Sequence, residues 1–183
     1  DSMDLLAVTL VSVAITVIIG FPLAILMGIN PRAARVITLF LDLLQTMPTF
    51  VYLVIVVILF GVGTPTAVVC TLAYALPPIV RIAGFGIRDV SPTTIEATDS
   101  LGQTTWQRLW KVQIPMAKST IILGLNQTIL AALSMAIIAS YVAGPGLGKP
   151  VLAALTQNNF GNGLVPGLLI VLMGIMLDRL TTA

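Results

Sequence analysis

Charge is scarce in this sequence, and several chemically useful residue types are rare or missing. Charged residues make up 9% of the 183 residues, whereas soluble domains typically carry about 25%. That deficit, together with 57% hydrophobic residues, excludes an ordinary soluble domain and indicates an integral membrane protein. Histidine is absent, which disfavours a proton relay or metal site built on imidazole. The single cysteine, Cys70, excludes a disulfide within the chain, and the net charge of +2 gives no support for a nucleic-acid partner.

The charge-free runs are long enough for about five membrane crossings, because one transmembrane helix needs about 20 apolar residues. These runs are continuous rather than alternating, which favours helices over a β-barrel. We therefore predict an all-α integral membrane protein, a single domain over residues 1–183, with spans near residues 5–28, 49–60, 66–84, 119–143 and 164–177. An amphipathic segment with Asp42 and Gln45 precedes the second span, which is short unless that segment continues it through a kink at Pro48.

The basic residues predict the orientation of the chain, because cytoplasmic loops are enriched in lysine and arginine. With five crossings, eight of the nine basic residues fall on one side, and Lys149 alone falls on the other. The eight are Arg32, Arg35, Arg81, Arg88, Arg108, Lys111, Lys118 and Arg179. We therefore expect the loop after the first span, the long loop 85–118 and the C-terminus to be cytoplasmic, and the N-terminus to lie outside.

The long loop 85–118 begins with the sequence signals of a short helix that ends at a glycine. Ser91 fits the N-cap of this helix, and Pro92 fits its first helical position. The helix is predicted to run to Leu101, because Gly102 suits a left-handed turn at a helix C-terminus. The loop therefore contains local structure rather than an extended connection.

A second helix is predicted later in the same loop, and one of its faces is aromatic. Thr104 and Gln107 have the spacing of a capping box, and Pro115 is expected to end the helix. One face at helical spacing is formed by Trp106, Leu109, Trp110 and Gln113. These signals leave two interpretations open: a solvated loop with interfacial tryptophans, or a docking element for a cytoplasmic partner. In the docking interpretation, we expect the two tryptophans to pack the second helix onto the membrane helices.

A short motif in this loop resembles a known family and favours the docking interpretation. Its residues are Glu96, Ala97, Thr98, Gly102, Ile114 and Pro115. The pattern resembles the EAA motif of permease subunits of ATP-binding-cassette (ABC) importers, with Thr98 in place of the second alanine. The five crossings, the position of the motif between the third and fourth spans, and the sequence GPGLG at residues 144–148 are also similar to that family.

The resemblance implies the type I ABC importer permease fold, with residues 85–118 as a cytoplasmic coupling loop. It implies a second copy of the permease, two ATP-binding subunits that carry ATP and Mg, and an extracytoplasmic substrate-binding protein. A phosphate-binding loop is missing here, because the nearest match, residues 143–150, fails at its first glycine and at its serine or threonine. We therefore expect no cofactor, no metal and no enzyme activity on this chain, and a multi-pass location in the plasma (inner) membrane.

Four further stretches resemble permeases for quaternary-amine osmoprotectants, namely glycine betaine, proline betaine, choline and carnitine. They are QTMPTFVYLV at 45–54, ALPPIVR at 75–81, NQTILAALSM at 126–135 and LDRLT at 177–181. Because aromatic faces hold a cation that has no hydrogen-bond donors, we expect aromatic residues among those lining a pathway through spans two to five. The candidate residues are Met47, Phe50, Tyr52, Tyr74, Asn126, Met135 and Tyr141. Each of them also has an ordinary interpretation as a packing or helix-contact residue.

Three alternatives to ATP-driven import of a quaternary amine stay open at the level of the sequence. The same fold would also import another small solute, such as an amino acid. A stand-alone channel would transport without ATP, and a membrane-embedded enzyme would need clustered carboxylates, histidines or a nucleophile. Seven acidic residues and no histidine form no such cluster in the sequence. The resemblance implies ATP-driven import of a quaternary amine as the leading expectation.

Overall fold

Helix is the only regular secondary structure in residues 2–142 and 144–182, which the computed structural model describes. The helices are α1 (Ser2–Ile29), α2 (Pro31–Thr46), α3 (Thr49–Phe60), α4 (Thr64–Arg88), α5 (Pro92–Ser100), α6 (Thr105–Arg108), α7 (Ile114–Met116), α8 (Lys118–Val142), α9 (Gly148–Thr156) and α10 (Phe160–Thr182). A π-helical turn, Leu109–Gln113, joins α6 to α7. Helices satisfy the backbone groups of a chain so poor in polar side chains, and the predicted all-α class is confirmed.

The candidate membrane spans agree with the predicted number of about five. Within the described ranges, α1, α4, α8 and α10 are long and apolar enough to cross a membrane, and α2 with α3 forms a bent pair that makes a fifth candidate. The two helices of this pair meet at 95°. The break falls at Met47, which is extended (φ −73°, ψ 129°) because the following Pro48 disfavours a helical conformation in the residue before it.

Several predicted boundaries are wrong. The third span continues to Arg88 instead of ending at Gly84, and the fifth runs from Phe160 to Thr182 instead of over 164–177. Residues 148–156, which the predicted spans leave between the fourth and the fifth, form α9. The glycines near the end of α4 are packing residues, and the helix continues through them. A Cβ on Gly86 would lie 2.7 Å from Thr120 Cβ of α8. Ala143, the predicted end of the fourth span, lies outside the described residues.

Small residues allow α1 and α4 to approach closely. Gly20, Ala24 and Gly28 follow one another at four-residue intervals on α1. A Cβ on Gly20 would lie 2.6 Å from Ile79 Cγ2, and a Cβ on Gly28 would lie 2.6 Å from Ile87 Cγ2. Such stripes let helix backbones pack closely in lipid, where the hydrophobic effect does not drive helices together. The α1–α4 contact therefore depends on glycine, which has no side chain, at positions 20 and 28.

Three apolar clusters follow α4 along its length. The first joins Tyr52, Cys70 and Met135 of α3, α4 and α8. The second joins α1, α2 and the middle of α4 around Ile79. The third joins the end of α4, at Ile87, to residues 89–117, which we name the inter-span segment. Helix α4 is thus the element against which the rest of the bundle is packed.

We expect Gly28→Leu to lower the midpoint of thermal unfolding in detergent, because overpacking a tight contact costs about 1–3 kcal/mol. Gly167→Leu is the matched control, since a Cβ at Gly167 of α10 has no atom within 4 Å. Both substitutions gain the same helix propensity, so their difference reports packing alone. Equal unfolding midpoints for the two variants would show that the close α1–α4 approach is not required for stability.

Candidate functional site

The inter-span segment forms two short arms joined at Gly102. The first arm is α5, and the second arm runs from α6 through the π-helical turn to α7. Gly102 has a φ of +71°, which confirms the predicted left-handed turn. The predicted capping box of the second arm is also present: Gln107 N donates to Thr104 Oγ1 at 3.3 Å, and Thr104 N donates to Gln107 Oε1 at 3.0 Å. Ser91 occupies the predicted N-cap of α5, but its hydroxyl pairs with that of Thr93 at 2.6 Å and does not cap the helix.

An ion pair connects the two arms across the glycine. Arg108 Nη1 of the second arm lies 2.6 Å from Asp99 Oδ1 of the first. Half-exposed pairs of this kind contribute about 0.2–1 kcal/mol, so the pair fixes the angle between the arms more than it stabilises the protein. This ion pair was not predicted, although opposite charges on either side of a helix-ending glycine are visible in the sequence.

The second arm is anchored to the end of α4. Leu109 is 1% exposed and packs with Ile87 and Ala117. Gln113 Nε2 donates a hydrogen bond of 3.3 Å to Ile87 O. This carbonyl belongs to the last turn of α4, where carbonyls have no partner within the helix. The position of the second arm is therefore tied to the position of α4.

Pro115 does not end the second helix as predicted. The chain stays helical through the π turn and into α7, and a short turn at Ala117 precedes α8. In the π turn, Ile114 N donates to Leu109 O, five residues back. The structure thereby places Pro115, which has no N–H to donate, in the first turn of α7, where a proline is tolerated.

The predicted packing of the tryptophans onto the membrane helices is also wrong within this chain. Trp106 and Trp110 are 65% and 45% exposed, and their rings meet edge to face with centroids 5.6 Å apart. Leu109 and Gln113 make the contact with the bundle instead. A π turn has more residues per turn than an α-helix, and the four residues therefore do not form one continuous face.

The residues of the EAA-like motif are divided between the two arms. Glu96 and Ala97 are exposed on α5, whereas Thr98 is buried. Ile114 is half-buried against the anchoring cluster, and Pro115 is exposed. The first arm thus presents a carboxylate, which is suited to pairing with a basic group on a partner. The small residue beside it allows the partner to approach closely. Contact with an ATPase stays a prediction.

Side chains that bind metals are dispersed in this structure. No three of its described histidine, cysteine, aspartate or glutamate residues lie close enough to hold an ion. Cys70 is buried, and its sulfur lies 3.7 Å from Tyr52 O.

Four of the seven predicted pathway residues belong to one apolar cluster. Tyr52 and Met135 are buried in it, and Met47 and Tyr74 pack against it from its edge. The rings of Tyr52 and Tyr74 meet at 90° with centroids 6.3 Å apart. The structure thus brings two predicted aromatic residues together near the α2–α3 break. Their role in transport stays a prediction.

The other three predicted pathway residues lie elsewhere. Phe50 is 60% exposed, and Tyr141 is half-buried near the C-terminal end of α8. Asn126 Nδ2 donates to Asp178 Oδ1 at 3.1 Å, and Thr181 Oγ1 donates to Asn126 Oδ1 at 2.8 Å. Asn126 therefore joins α8 to α10, which is the ordinary helix-contact role considered for it.

Comparisons of the sequence with known proteins support the resemblance. The family described as binding-protein-dependent transport system inner membrane component matches residues 7–183. The glycine betaine/carnitine transport permease protein GbuB of Listeria monocytogenes is 47% identical over 100% of this chain and 65% of its own length. The glycine betaine transport system permease protein OpuAB of Bacillus subtilis is 45% identical over 96% of this chain and 62% of its own length.

A third relative is the glycine betaine/proline betaine transport system permease protein ProW of Escherichia coli, which is 46% identical over 100% of this chain and 52% of its own length. The chain thus spans between about half and two thirds of the length of these curated relatives. The resemblance to ABC importer permeases, and more closely to those for quaternary amines, is confirmed.

The fold is also shared with a solved structure. A chain of the MetNI methionine ABC transporter, in an inward-facing conformation, matches with a TM-score of 0.85 over 97% of this chain and 89% of its own. The sequences are 20% identical, so this similarity concerns the fold alone. It confirms the predicted ABC importer permease fold.

We expect Gly102→Val to loosen the inter-span segment, whereas Gly102→Asn largely preserves it. A Cβ at this position meets no atom within 4 Å, so the penalty comes from the left-handed backbone, which asparagine tolerates. Amide hydrogen exchange over residues 92–116 should be about 5- to 30-fold faster in Gly102→Val. Equal exchange in the two variants would contradict the role given to the backbone conformation.

Proposed function

Because the chain belongs to the family of inner membrane components of binding-protein-dependent transport systems, we propose that it is the permease subunit of an ATP-binding-cassette importer for quaternary-amine osmoprotectants. The inter-span segment carries this proposal. It places an exposed arm with Glu96 on a hinge at Gly102 and anchors that hinge to a bundle of apolar helices. A membrane subunit driven by a soluble ATPase needs such an arm to receive a rigid-body motion.

The proposed orientation puts the inter-span segment in the cytoplasm and the N-terminus outside. The excess of basic residues on one side supports this orientation. In the structure, Arg35 of α2 and Arg88 of α4 line the same cleft. Both lie at the end of the bundle where the inter-span segment joins α4. These two basic residues therefore lie at the end that the ATPase would approach.

The proposed assembly contains two copies of this permease, two ATP-binding subunits and an extracytoplasmic substrate-binding protein. ATP and Mg would be bound by the ATP-binding subunits, since the sequence has no phosphate-binding loop. The similarity to a chain of an ABC transporter supports this assignment. This chain would then be a transport subunit and not an enzyme, and lipid and the second copy would cover the exposed apolar faces of α3 and α10.

Coupling would run through the anchoring contacts of the second arm. Glu96 would pair with a basic residue of the ATPase, and the small side chain of Ala97 would allow the two surfaces to approach. A displacement of α5 would pass through the Asp99–Arg108 ion pair to the second arm. From there it would reach α4 through the contacts of Gln113 and Leu109 with Ile87. Each step joins elements that are already in contact.

The proposed substrate class rests on the relatives and on the character of the core. GbuB, OpuAB and ProW are named for glycine betaine, carnitine or proline betaine. The main apolar cluster contains the Tyr52–Tyr74 pair. Aromatic rings attract a quaternary ammonium group without binding it as tightly as a buried carboxylate would. Weak attraction is appropriate for a solute that has to leave again.

We expect Glu96→Lys to reduce ATP-dependent uptake at least about tenfold. The lysine would repel the basic residue of the ATPase with which Glu96 is proposed to pair. Less ATPase should co-purify with the permease, and the amount of permease in the membrane should be unchanged. Gln157→Lys places a lysine at the exposed end of α9 and serves as the control. Normal uptake and normal ATPase recovery with Glu96→Lys would contradict the assignment of this arm as the docking element.

Uptake of labelled glycine betaine by proteoliposomes that contain permease, ATPase and binding protein tests the whole proposal. We expect uptake to require ATP and to be inhibited by proline betaine, carnitine or choline, and not by amino acids such as methionine. Uptake without ATP by the permease alone would identify a channel. Amino-acid uptake without betaine uptake would show that the substrate class is wrong.

A further inference from the structure

A cleft lies beside the break between α2 and α3. Its volume is about 370 Å³, which lies within the range of about 300–1,000 Å³ for small-molecule sites. The last turn of α2, the middle of α4 and α8 contribute its walls. The lining residues are Leu44, Gln45, Tyr74, Pro78 and Ala131. Only Tyr74 among them was a predicted pathway residue.

Two prolines interrupt the backbone hydrogen bonding of α4 at the level of this cleft. Pro77 and Pro78 lie inside a helix that continues from Thr64 to Arg88. A proline has no N–H, so the carbonyl four residues earlier loses its hydrogen bond within the helix. Those carbonyls belong to Ala73 and Tyr74. Tyr74 and Pro78 line the cleft, so its α4 wall lies where the helix has lost two of its regular backbone hydrogen bonds.

The α2 wall contributes partial negative charge. Helix α2 ends at Thr46, and its last four carbonyls have no backbone N–H donor within the helix. One of them, Leu43 O, accepts a 3.1 Å hydrogen bond from Thr46 Oγ1. The C-terminal end of a helix is also the negative end of its dipole. Leu44 and Gln45, in this last turn, line the cleft.

No formal charge accompanies these backbone dipoles. None of the lining residues is acidic or basic, and Asp42, one turn earlier on α2, pairs with Arg81 at 2.8 Å. Broken helices in transporters use such carbonyl ends to hold cations near the middle of the membrane. A cation in this cleft would be attracted without being trapped, as transport requires.

The side chains of the cleft select a particular kind of cation. The Tyr74 ring is packed at right angles by Tyr52, and aromatic faces favour quaternary ammonium groups. A quaternary ammonium has no N–H donors, so it interacts with carbonyl oxygens only through charge and polarised methyl groups. Gln45 has an amide that donates hydrogen bonds, and its side chain has no partner within the described residues. Such an amide is suited to a carboxylate.

We propose that this cleft is a transit site for zwitterionic quaternary amines. The Tyr74 ring and the carbonyls of α2 and α4 hold the trimethylammonium group, and the Gln45 amide donates to the carboxylate. The site rests on the proposed function and adds to it the residues that contact the solute inside the membrane. It also gives a role to the two prolines and to the break at Pro48.

The first test compares Tyr74→Leu with Tyr74→Phe in the complete complex in proteoliposomes. Uptake of glycine betaine per ATP hydrolysed should fall about 5- to 30-fold in Tyr74→Leu. Tyr74→Phe keeps the ring and should stay within about twofold of the wild type. Phe60→Leu is the control, since Phe60 lies at the far end of α3 and is exposed. Equal losses with leucine and phenylalanine, or no loss with either, would overturn the site.

The second test uses the single cysteine of the chain. Cys70 is buried, so Cys70→Ala combined with Gln45→Cys puts one reactive thiol at the cleft. A trimethylammonium methanethiosulfonate reagent converts this thiol to a mixed disulfide and releases methanesulfinate. We expect the reaction to block uptake and to be slowed severalfold while glycine betaine is being transported with ATP. Modification that neither blocks uptake nor is slowed by betaine would overturn the site.

These outcomes separate the transit site from the proposed function. If the wild-type complex takes up betaine and the variants at Tyr74 and Gln45 behave as the wild type does, the transit site alone is wrong. If the wild-type complex takes up no quaternary amine, the proposed function itself is wrong, and the transit site falls with it.

Discussion

The structure depends on the close packing of α4 against its neighbours. This packing keeps α4 helical although its sequence contains residues that destabilise a helix. Two consecutive prolines remove backbone donors from its middle, and two glycines weaken its last turns. Neighbouring helices compensate by packing against it at short range. Gly20 and Gly28 admit its isoleucines on the α1 side, and Gly86 admits Thr120 on the α8 side. Because α2 and α3 also pack on α4, the whole bundle takes its geometry from this helix.

The same helix connects the two regions to which function is assigned. Tyr74 lines the cleft, and Ile87, near the end of α4, anchors the inter-span segment. At 1.5 Å per residue, these two positions are about 20 Å apart along the axis. A helix packed on several sides moves as a unit more readily than it bends, since close-packed interiors transmit displacement. Docking and solute contact are thus joined by one element without a chain of intermediate loops.

The features that the sequence predicted correctly are local ones. Composition and run length predicted the class and the number of spans, and the glycine at 102 and the capping box at Thr104 needed only near neighbours. The Asp99–Arg108 pair depends on the angle between two arms, and the exposure of Trp106 depends on a change of helical phase. Neither can be read from spacing. In a chain this apolar, periodicity also fails to separate lipid-facing from packed faces, so the pairing of α8 with α10 could not be foreseen.

The hydrogen bonds of Asn126 with Asp178 and Thr181 make the contact between α8 and α10 different at its two ends. They attach α10 to α8 near the end of the bundle that carries the inter-span segment. Further along, α10 meets α8 through apolar surfaces, such as Leu133 beside Gly174, and apolar surfaces slide without losing directional bonds. The side-chain contacts between α8 and α10 are thus directional at one end and apolar at the other, where α10 also packs closely on α9 at Gly163 and Ala154. Sliding α10 along α8 would break hydrogen bonds only at the Asn126 end.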